Sequence, residues 1–344
     1  MSKLKLGITI GDVNGISTEV IIKALSDERM LKLFTPIIYG SSRVLSYYKN
    51  MLGADFFSFT PISAAEHSKY NKVNVLNCWE ETADIEAGKA TESGGKFAHI
   101  ALDRAVRDYQ ANQIDGIITA PINKNAMKMS GFQFPGHTEF IADKFKSSNS
   151  LMMMVSDVIK VAVVTNHESV RNVADLITKE LVTKKLEILN TTLVEDFGIQ
   201  KPTIAILGLN PHAGDEGSIG TEDEEIVKPV ILAAKKKGMT VMGPYPADGF
   251  FASSTHKKFD AILAMYHDQG LIPFKMLSFG KGVNFTAGLP IIRTSPDHGT
   301  AYDIVGKNIA DPSSLRHAIY AAIDIAKCRK EYEESRENAL SRKS

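Results

Sequence analysis

Short apolar, β-branched runs alternate along the chain with longer stretches of helical periodicity. LKLGITI, TPIIYG, DGIITA, VIKVAVVT, PTIAILGLN, TVMGPY and FDAILAMYH read as strands, while STEVIIKALSDERMLKLF, KFAHIALDRAVRDYQANQ and TKKLEILNTTLVEDFG read as helices between them. Strand then helix, repeated, predicts right-handed crossovers and a mostly parallel sheet covered by helices on both faces, so the fold class is α/β. The punctuation agrees. Ser17 or Thr18 is placed to cap the first helix; TEDEEIVKPVILAAKKKG opens at Thr221 on acidic residues and closes on three lysines and Gly238, which suits both ends of a helix dipole. No internal repeat, low-complexity tract or flexible linker interrupts the pattern, which predicts domains interleaved in sequence instead of strung in series. The tail CRKEYEESRENALSRKS reads as a solvated helix end that frays.

A chain of 344 residues has room for about two domains at roughly 150 residues each. Its 40 basic residues balance 40 acidic ones, so neither a disordered chain nor a polycation seeking nucleic acid is implied. Cys78 and Cys328 are the only cysteines, too few for a disulfide framework or a cysteine-built zinc site, and they fit a reducing compartment. The start MSKLKLGITIGDVNG has too short an apolar run for a secretory signal, and no stretch approaches the roughly 18 consecutive apolar residues of a membrane helix. The cytoplasm is the expected location, with no nucleic-acid or membrane partner.

Of nine histidines, His67, His99, His256 and His317 sit in polar or amphipathic contexts that ask for no chemistry. His167 in VAVVTNHES, His212 in AILGLNPHAGD and His267 in AILAMYHDQG share a different position, each just beyond an apolar strand. Ligands of open α/β sheets bind outside the carboxyl ends of strands, so these three imidazoles are candidates to converge on a divalent metal, with Asp268 ligating or orienting. A single strand-end histidine is more often a loop residue; three at equivalent ends favour the metal. In FPGHTEFIAD, Gly136, His137 and Thr138 open a helix with Thr138 as a candidate cap, where backbone N–H groups and the dipole suit a phosphate as well as they suit ordinary capping. Lys275, Asn284 and Arg293 add donors suited to phosphate or carboxylate. ITAPINKNAM ends a strand at Thr119 and Ala120 and turns Asn123 and Lys124 toward the same strand-end region. GDVNG lacks the G-x-G-x-x-G spacing, so any dinucleotide is held differently.

Together, GITIGDVNGISTEV, ITAPINK, FPGHTEF, LNPHAGDEGSIGTEDEE, GPYPADGFF, YHDQGLIPFK and RTSPDHGTAYDIVGKNIADP resemble the 4-hydroxythreonine-4-phosphate dehydrogenase family of pyridoxal phosphate biosynthesis. One departure is GDVNGISTE, where the family more commonly has Gly-Pro before the glutamate. The resemblance implies two interleaved α/β/α domains with a cleft between them, isocitrate dehydrogenase-like, the first formed by 1–128 and 283–344 and the second, with a dimer interface, by 129–282. It implies that His167, His212 and His267 bind a divalent metal, zinc first, with magnesium, manganese or cobalt as alternatives, and that His267 reaches across a homodimer to complete the site. It further implies that His137, Thr138, Lys275, Asn284 and Arg293 hold the substrate. SPDHGTAYDIVGKNIA is similar to the cofactor loop of decarboxylating dehydrogenases, placing NAD, or NADP, at His298, Gly299, Thr300 and Ala301. Asp248, Asp268 and Lys124 are the candidate catalytic groups. The implied reaction is NAD-dependent oxidation of 4-phosphohydroxy-L-threonine to a 3-keto acid that decarboxylates to 3-amino-2-oxopropyl phosphate. The alternatives are a dehydrogenase for threonate or erythronate 4-phosphate, a metal-free acyltransferase related by fold, and a non-catalytic binding module.

Overall fold

The computed structural model describes residues 3–147 and 149–338. In chain order the strands are β1 (Lys5–Thr9), β2 (Thr35–Gly40), β3 (Thr60–Ile62), β4 (Asn74–Asn77), β5 (Gly116–Thr119), β6 (Leu151–Val155), β7 (Lys160–Val163), β8 (Thr203–Leu207), β9 (Thr240–Tyr245), β10 (Ala261–Ala264), β11 (Val283–Ala287) and β12 (Arg293–Pro296). The helices are α1 (Ser17–Leu25), α2 (Glu28–Leu33), α3 (Ser42–Met51), α4 (Glu92–Gln110), α5 (Lys124–Met129), α6 (His137–Lys144), α7 (Val170–Leu176), α8 (Lys179–Glu195), α9 (Lys228–Lys236), α10 (Ala247–Ala252), α11 (His267–Ser278) and α12 (Ser313–Glu337). All seven strands read from the hydrophobic pattern are present. Among the described residues no helix is long and apolar enough to cross a membrane, and Cys78 and Cys328 are both free thiols.

The chain packs as two α/β units interleaved in sequence. Unit 1 comprises Met1–Ser148 and Leu289–Ile323, and unit 2 comprises Asn149–Gly288 and Asp324–Ser344, so α12 is divided between them. The boundaries expected at 128/129 and 282/283 fall instead at 148/149 and 288/289. Helix α6 belongs with unit 1 because His137 packs there, and β11 pairs antiparallel with β6 of unit 2. Residues 339–344, the end of the expected fraying tail, lie outside those described.

In unit 1 the order β3-β4-β2-β1-β5-β12 is parallel throughout, as strand–helix alternation dictates. Strands β1, β2 and β5 are buried almost completely, which is why they read as unbroken apolar runs. In unit 2 the order is β11-β6-β7-β10-β8-β9; β6 runs antiparallel to both its neighbours and the remaining pairs are parallel. Helix α11 lies on β7 and β10 at close range: a Cβ on Gly270 would come within 2.8 Å of Val161 and 3.0 Å of Ala264. Leu271 and Phe274 of this helix enter a core with Val161, Val163, Leu207 and Ile262.

Local punctuation departs from expectation at three helices. The residue before α1 is Ile16, not Ser17 or Thr18, and the Ser17 hydroxyl donates instead to the carbonyl of Pro121 at 2.9 Å. Helix α6 begins one residue after Gly136, which puts Thr138 inside the first turn and not at the cap. STEVIIKALSDERMLKLF breaks into α1 and α2 because Asp27 turns extended and caps the backbone of Arg29.

Candidate active-site clusters

In unit 1, β12 opens at Arg293, which is 4% exposed. Its Nε and Nη2 donate to Thr119 Oγ1 at the end of β5, at 3.0 and 2.7 Å, and Nη2 lies 3.3 Å from His137 Nδ1 at the start of α6. Burial lowers the guanidinium pKa to about 10, opposed by Glu139, so it remains charged at neutral pH. Burial, reinforced by the Arg293 charge, holds His137 well below its ordinary value and keeps it neutral. With Nδ1 facing a donor, the hydrogen-bond network assigns the ring proton to Nε2, so His137 presents an N–H donor. Lys124 reaches the same place: its Cε is 4.0 Å, and Glu139 Oε2 3.3 Å, from where a Gly136 Cβ would lie. Asn123 caps α5 by accepting from Ala126 N at 2.9 Å and is therefore a structural residue. A buried arginine, a neutral imidazole donor, a lysine and a helix N-terminus, with the Glu139 carboxylate beside them, are groups of the kind that suit an anion such as a phosphate monoester.

Unit 2 carries the three strand-end histidines on β7, β10 and β8, which are parallel and adjacent in that order. Hydrogen bonds from Val164 and Thr165 to Ala264 and Met265 extend the β7–β10 ladder toward His167 and His267. Gln269 fastens the first turn of α11: Oε1 accepts from Met265 N at 2.7 Å and Nε2 donates to Gly208 O at 2.6 Å. The rings of His167 and His267 have centroids 5.6 Å apart. Two imidazoles bound at about 2.0–2.1 Å to one tetrahedral cation would have centroids roughly 5 Å apart. His267 Nδ1 is 2.7 Å from Asp268 Oδ1, an arrangement in which Nε2 would be the nitrogen to meet a cation.

His212 is exposed and opens a run of five left-handed residues, His212 to Glu216. The preceding turn is held by buried Asp223, whose carboxylate accepts from Leu209 N and Asn210 N at 2.8 and 3.0 Å. That aspartate belongs to the acidic run expected to serve a helix dipole; it sits in a π-helical turn, Asp223–Val227, and organises a loop. Among the described residues no set of three or more His, Cys, Asp and Glu side chains closes into a metal cluster within one chain. His167 and His267 fit one cation as a pair, with His212 on the neighbouring strand end. Within one chain the His267 ring lies beside that of His167.

The remaining candidates are dispersed. Asp248 is exposed in the first turn of α10, which packs against the His212 turn. Lys275 is exposed on α11, eight residues past His267, or about 12 Å along the axis. Asn284 lies on β11, separated from β7 by β6. In unit 1, the 298–301 segment suits a bound dinucleotide in kind: Gly299 has open space where a Cβ would project, Thr300 is buried, Ala301 is left-handed, and His298 Nε2 is buried without a hydrogen-bond partner among the described residues. Thr119, Gln269, Asp223 and Glu139 act beside the candidates without having been singled out. Each lay inside a motif already quoted, but its partner is distant or backbone, and spacing carries no trace of that.

The family model for the pyridoxal phosphate biosynthetic protein PdxA matches residues 32–322. The chain belongs to the PdxA family. A 4-hydroxythreonine-4-phosphate dehydrogenase of Bacteroides thetaiotaomicron is 48% identical over 98% of this chain and 93% of its own length. A protein of Oceanobacillus iheyensis named for D-threonate 4-phosphate dehydrogenase is 38% identical over 93% of this chain and 97% of its own. Among solved structures, a 4-hydroxythreonine-4-phosphate dehydrogenase from Klebsiella pneumoniae superposes with TM-score 0.81 at 33% identity, covering 95% of this chain and 98% of that one. The PdxA match thus covers part of each unit and every candidate residue.

Proposed function

We propose that this PdxA-family chain is an NAD-dependent, metal-dependent dehydrogenase that oxidises 4-phosphohydroxy-L-threonine to a 3-keto acid, which decarboxylates to 3-amino-2-oxopropyl phosphate. The observation that carries the reading is the His167–His267 pair with Asp268 behind it, at adjacent strand ends in a chain 48% identical to a relative of that name. When bound, a divalent cation polarises the secondary hydroxyl and stabilises the charge that develops as carbon dioxide departs, while the nicotinamide accepts hydride.

The protein's own contribution is placement. Arg293, held by Thr119, and the His137 N–H bind the phosphate together with Thr138 and the α6 N-terminus; Lys275 and Asn284 serve the remaining polar groups. His167, His212 and His267 hold the cation, zinc first. Asp268, engaged with His267, orients that ring, which leaves Lys124 and Asp248 as the candidate bases. Residues 298–301 hold the dinucleotide. Two copies form the working enzyme through α11, whose Ile272 and Met276 are exposed at i and i+4, with Phe279 exposed just past the end of the helix. The two free thiols suit the cytoplasm.

NADH absorbance with 4-phosphohydroxy-L-threonine should rise, stop on chelation and return on adding back zinc, manganese, cobalt or magnesium. No NADH formation from any phosphorylated hydroxy acid would defeat the proposal. The Oceanobacillus relative favours a second substrate, D-threonate 4-phosphate. A higher kcat/KM for that acid in the same assay would move the assignment to it.

A further inference from the structure

Three loops of unit 1 meet behind the 298–301 segment. The Ile16 N–H donates to Thr300 O at 3.0 Å, and a Cβ on Gly15 would lie 2.9 Å from that same oxygen, so the loop after β1 is pressed directly on the Thr300 backbone. One residue beyond left-handed Ala301, the Tyr302 hydroxyl donates to Asp12 Oδ2 at 2.5 Å, while Asp12 Oδ1 accepts from Asn14 N at 2.9 Å. Asn14 then uses every polar group it has. Its Nδ2 donates to Thr91 Oγ1 at 2.8 Å, its Oδ1 accepts from Glu86 N at 2.9 Å, and its carbonyl accepts from Gly88 N at 2.8 Å. Gly88 returns to the start, since a Cβ there would stand 3.0 Å from Tyr302 O. Asp12 is 1% exposed and Asn14 fully buried, so these bonds are made away from competing water.

We infer that Asp12, Asn14 and Tyr302 are positioning residues that hold the 298–301 segment in its dinucleotide-binding shape; the inference rests on the cofactor reading proposed above. Ala301 keeps a left-handed backbone, disfavoured for a residue with a Cβ, because the chain is pinned at Thr300 on one side and at Tyr302 on the other. Releasing the Tyr302 pin removes one bond to a buried carboxylate and lets the segment sample shapes that must be reordered when the cofactor binds. The loss therefore falls on dinucleotide affinity and not on recognition of the phosphorylated acid, whose proposed binding groups lie at Arg293 and His137.

Titration of NAD+ into full-length wild type, Tyr302→Phe and Asn14→Ala by calorimetry tests this. The Kd for NAD+ should rise about tenfold in Tyr302→Phe and more in Asn14→Ala. The KM for NAD+ should rise in step, with kcat at saturating NAD+ and KM for the phosphorylated acid within about twofold of wild type. Tyr302→Phe removes a single oxygen and keeps the test alive should Asn14→Ala fail to fold. Folded variants with a lowered melting temperature but unchanged Kd overturn the inference alone, assigning these residues to stability. A wild type that binds neither NAD+ nor NADP+ overturns the cofactor reading and this inference with it.

Discussion

Arg293 is a buried cation at neutral pH, and Thr119 fixes its direction. Arg293→Lys keeps the charge but loses the planar fork that reaches Thr119 and His137 together. We expect KM for the phosphorylated substrate to rise about tenfold or more, with kcat affected less, in steady-state kinetics. Protonation gives a second residue-scale prediction. Burial lowers the pKa of His137, His99 and His256, with Arg293 adding to the effect at His137 and Lys257 at His256; both ring nitrogens of His256 are buried without partners among the described residues. A base whose folded pKa is depressed binds fewer protons folded than unfolded, so stability is retained above about pH 6.5 and declines as pH falls below it. Melting temperatures measured from pH 7.5 down to 5 should fall, and a flat profile would contradict this. Arg293 and His137 were legible as candidates because their motifs are distinctive. Thr119 was not recognised as the partner of Arg293, since a hydroxyl 174 residues away leaves no mark on either motif.

At the scale of elements, α11 carries most of the geometry of the proposed metal site. Its register depends on Gly270 lying flat on β7 and β10, on Phe274 in the core, and on Gln269 bridging two strand ends. Phe274→Ala should lower stability by about 3–5 kcal/mol in urea unfolding, the cost of a large buried ring. Gln269→Leu removes less, about 1–3 kcal/mol for unsatisfied backbone groups, but should also reduce bound metal measured by elemental analysis, because it frees the turn that aims His267. Unchanged metal content in a folded Gln269→Leu protein would separate that turn from the site. Strands were legible here because buried parallel strands are written as continuous apolar runs. Helix starts were less so: Ser17 and Thr138 are good capping types, yet tertiary bonds such as Ser17 to Pro121 decided their use.

Across the whole molecule, alternation of strand and helix revealed an interleaved α/β chain, while the exact joints depended on contacts that local periodicity does not encode. VNFTA reads equally well as a strand of either unit; only its antiparallel partner β6 assigns it to unit 2. The second half of the last helix is likewise tied to unit 2 by Arg329 pairing with buried Asp196. The dimer proposal makes its prediction here: Ile272→Asp with Met276→Glu on the exposed face of α11 should shift sedimentation from dimer to monomer and leave the monomer folded. Interleaving also bears on synthesis. All six strands of unit 2 lie between residues 149 and 288, whereas unit 1 awaits β12 as the last strand of its sheet. On the ribosome, the sheet of the earlier-started unit is therefore the later of the two to be completed, and Arg293 of the proposed anion pocket emerges only after every strand of unit 2.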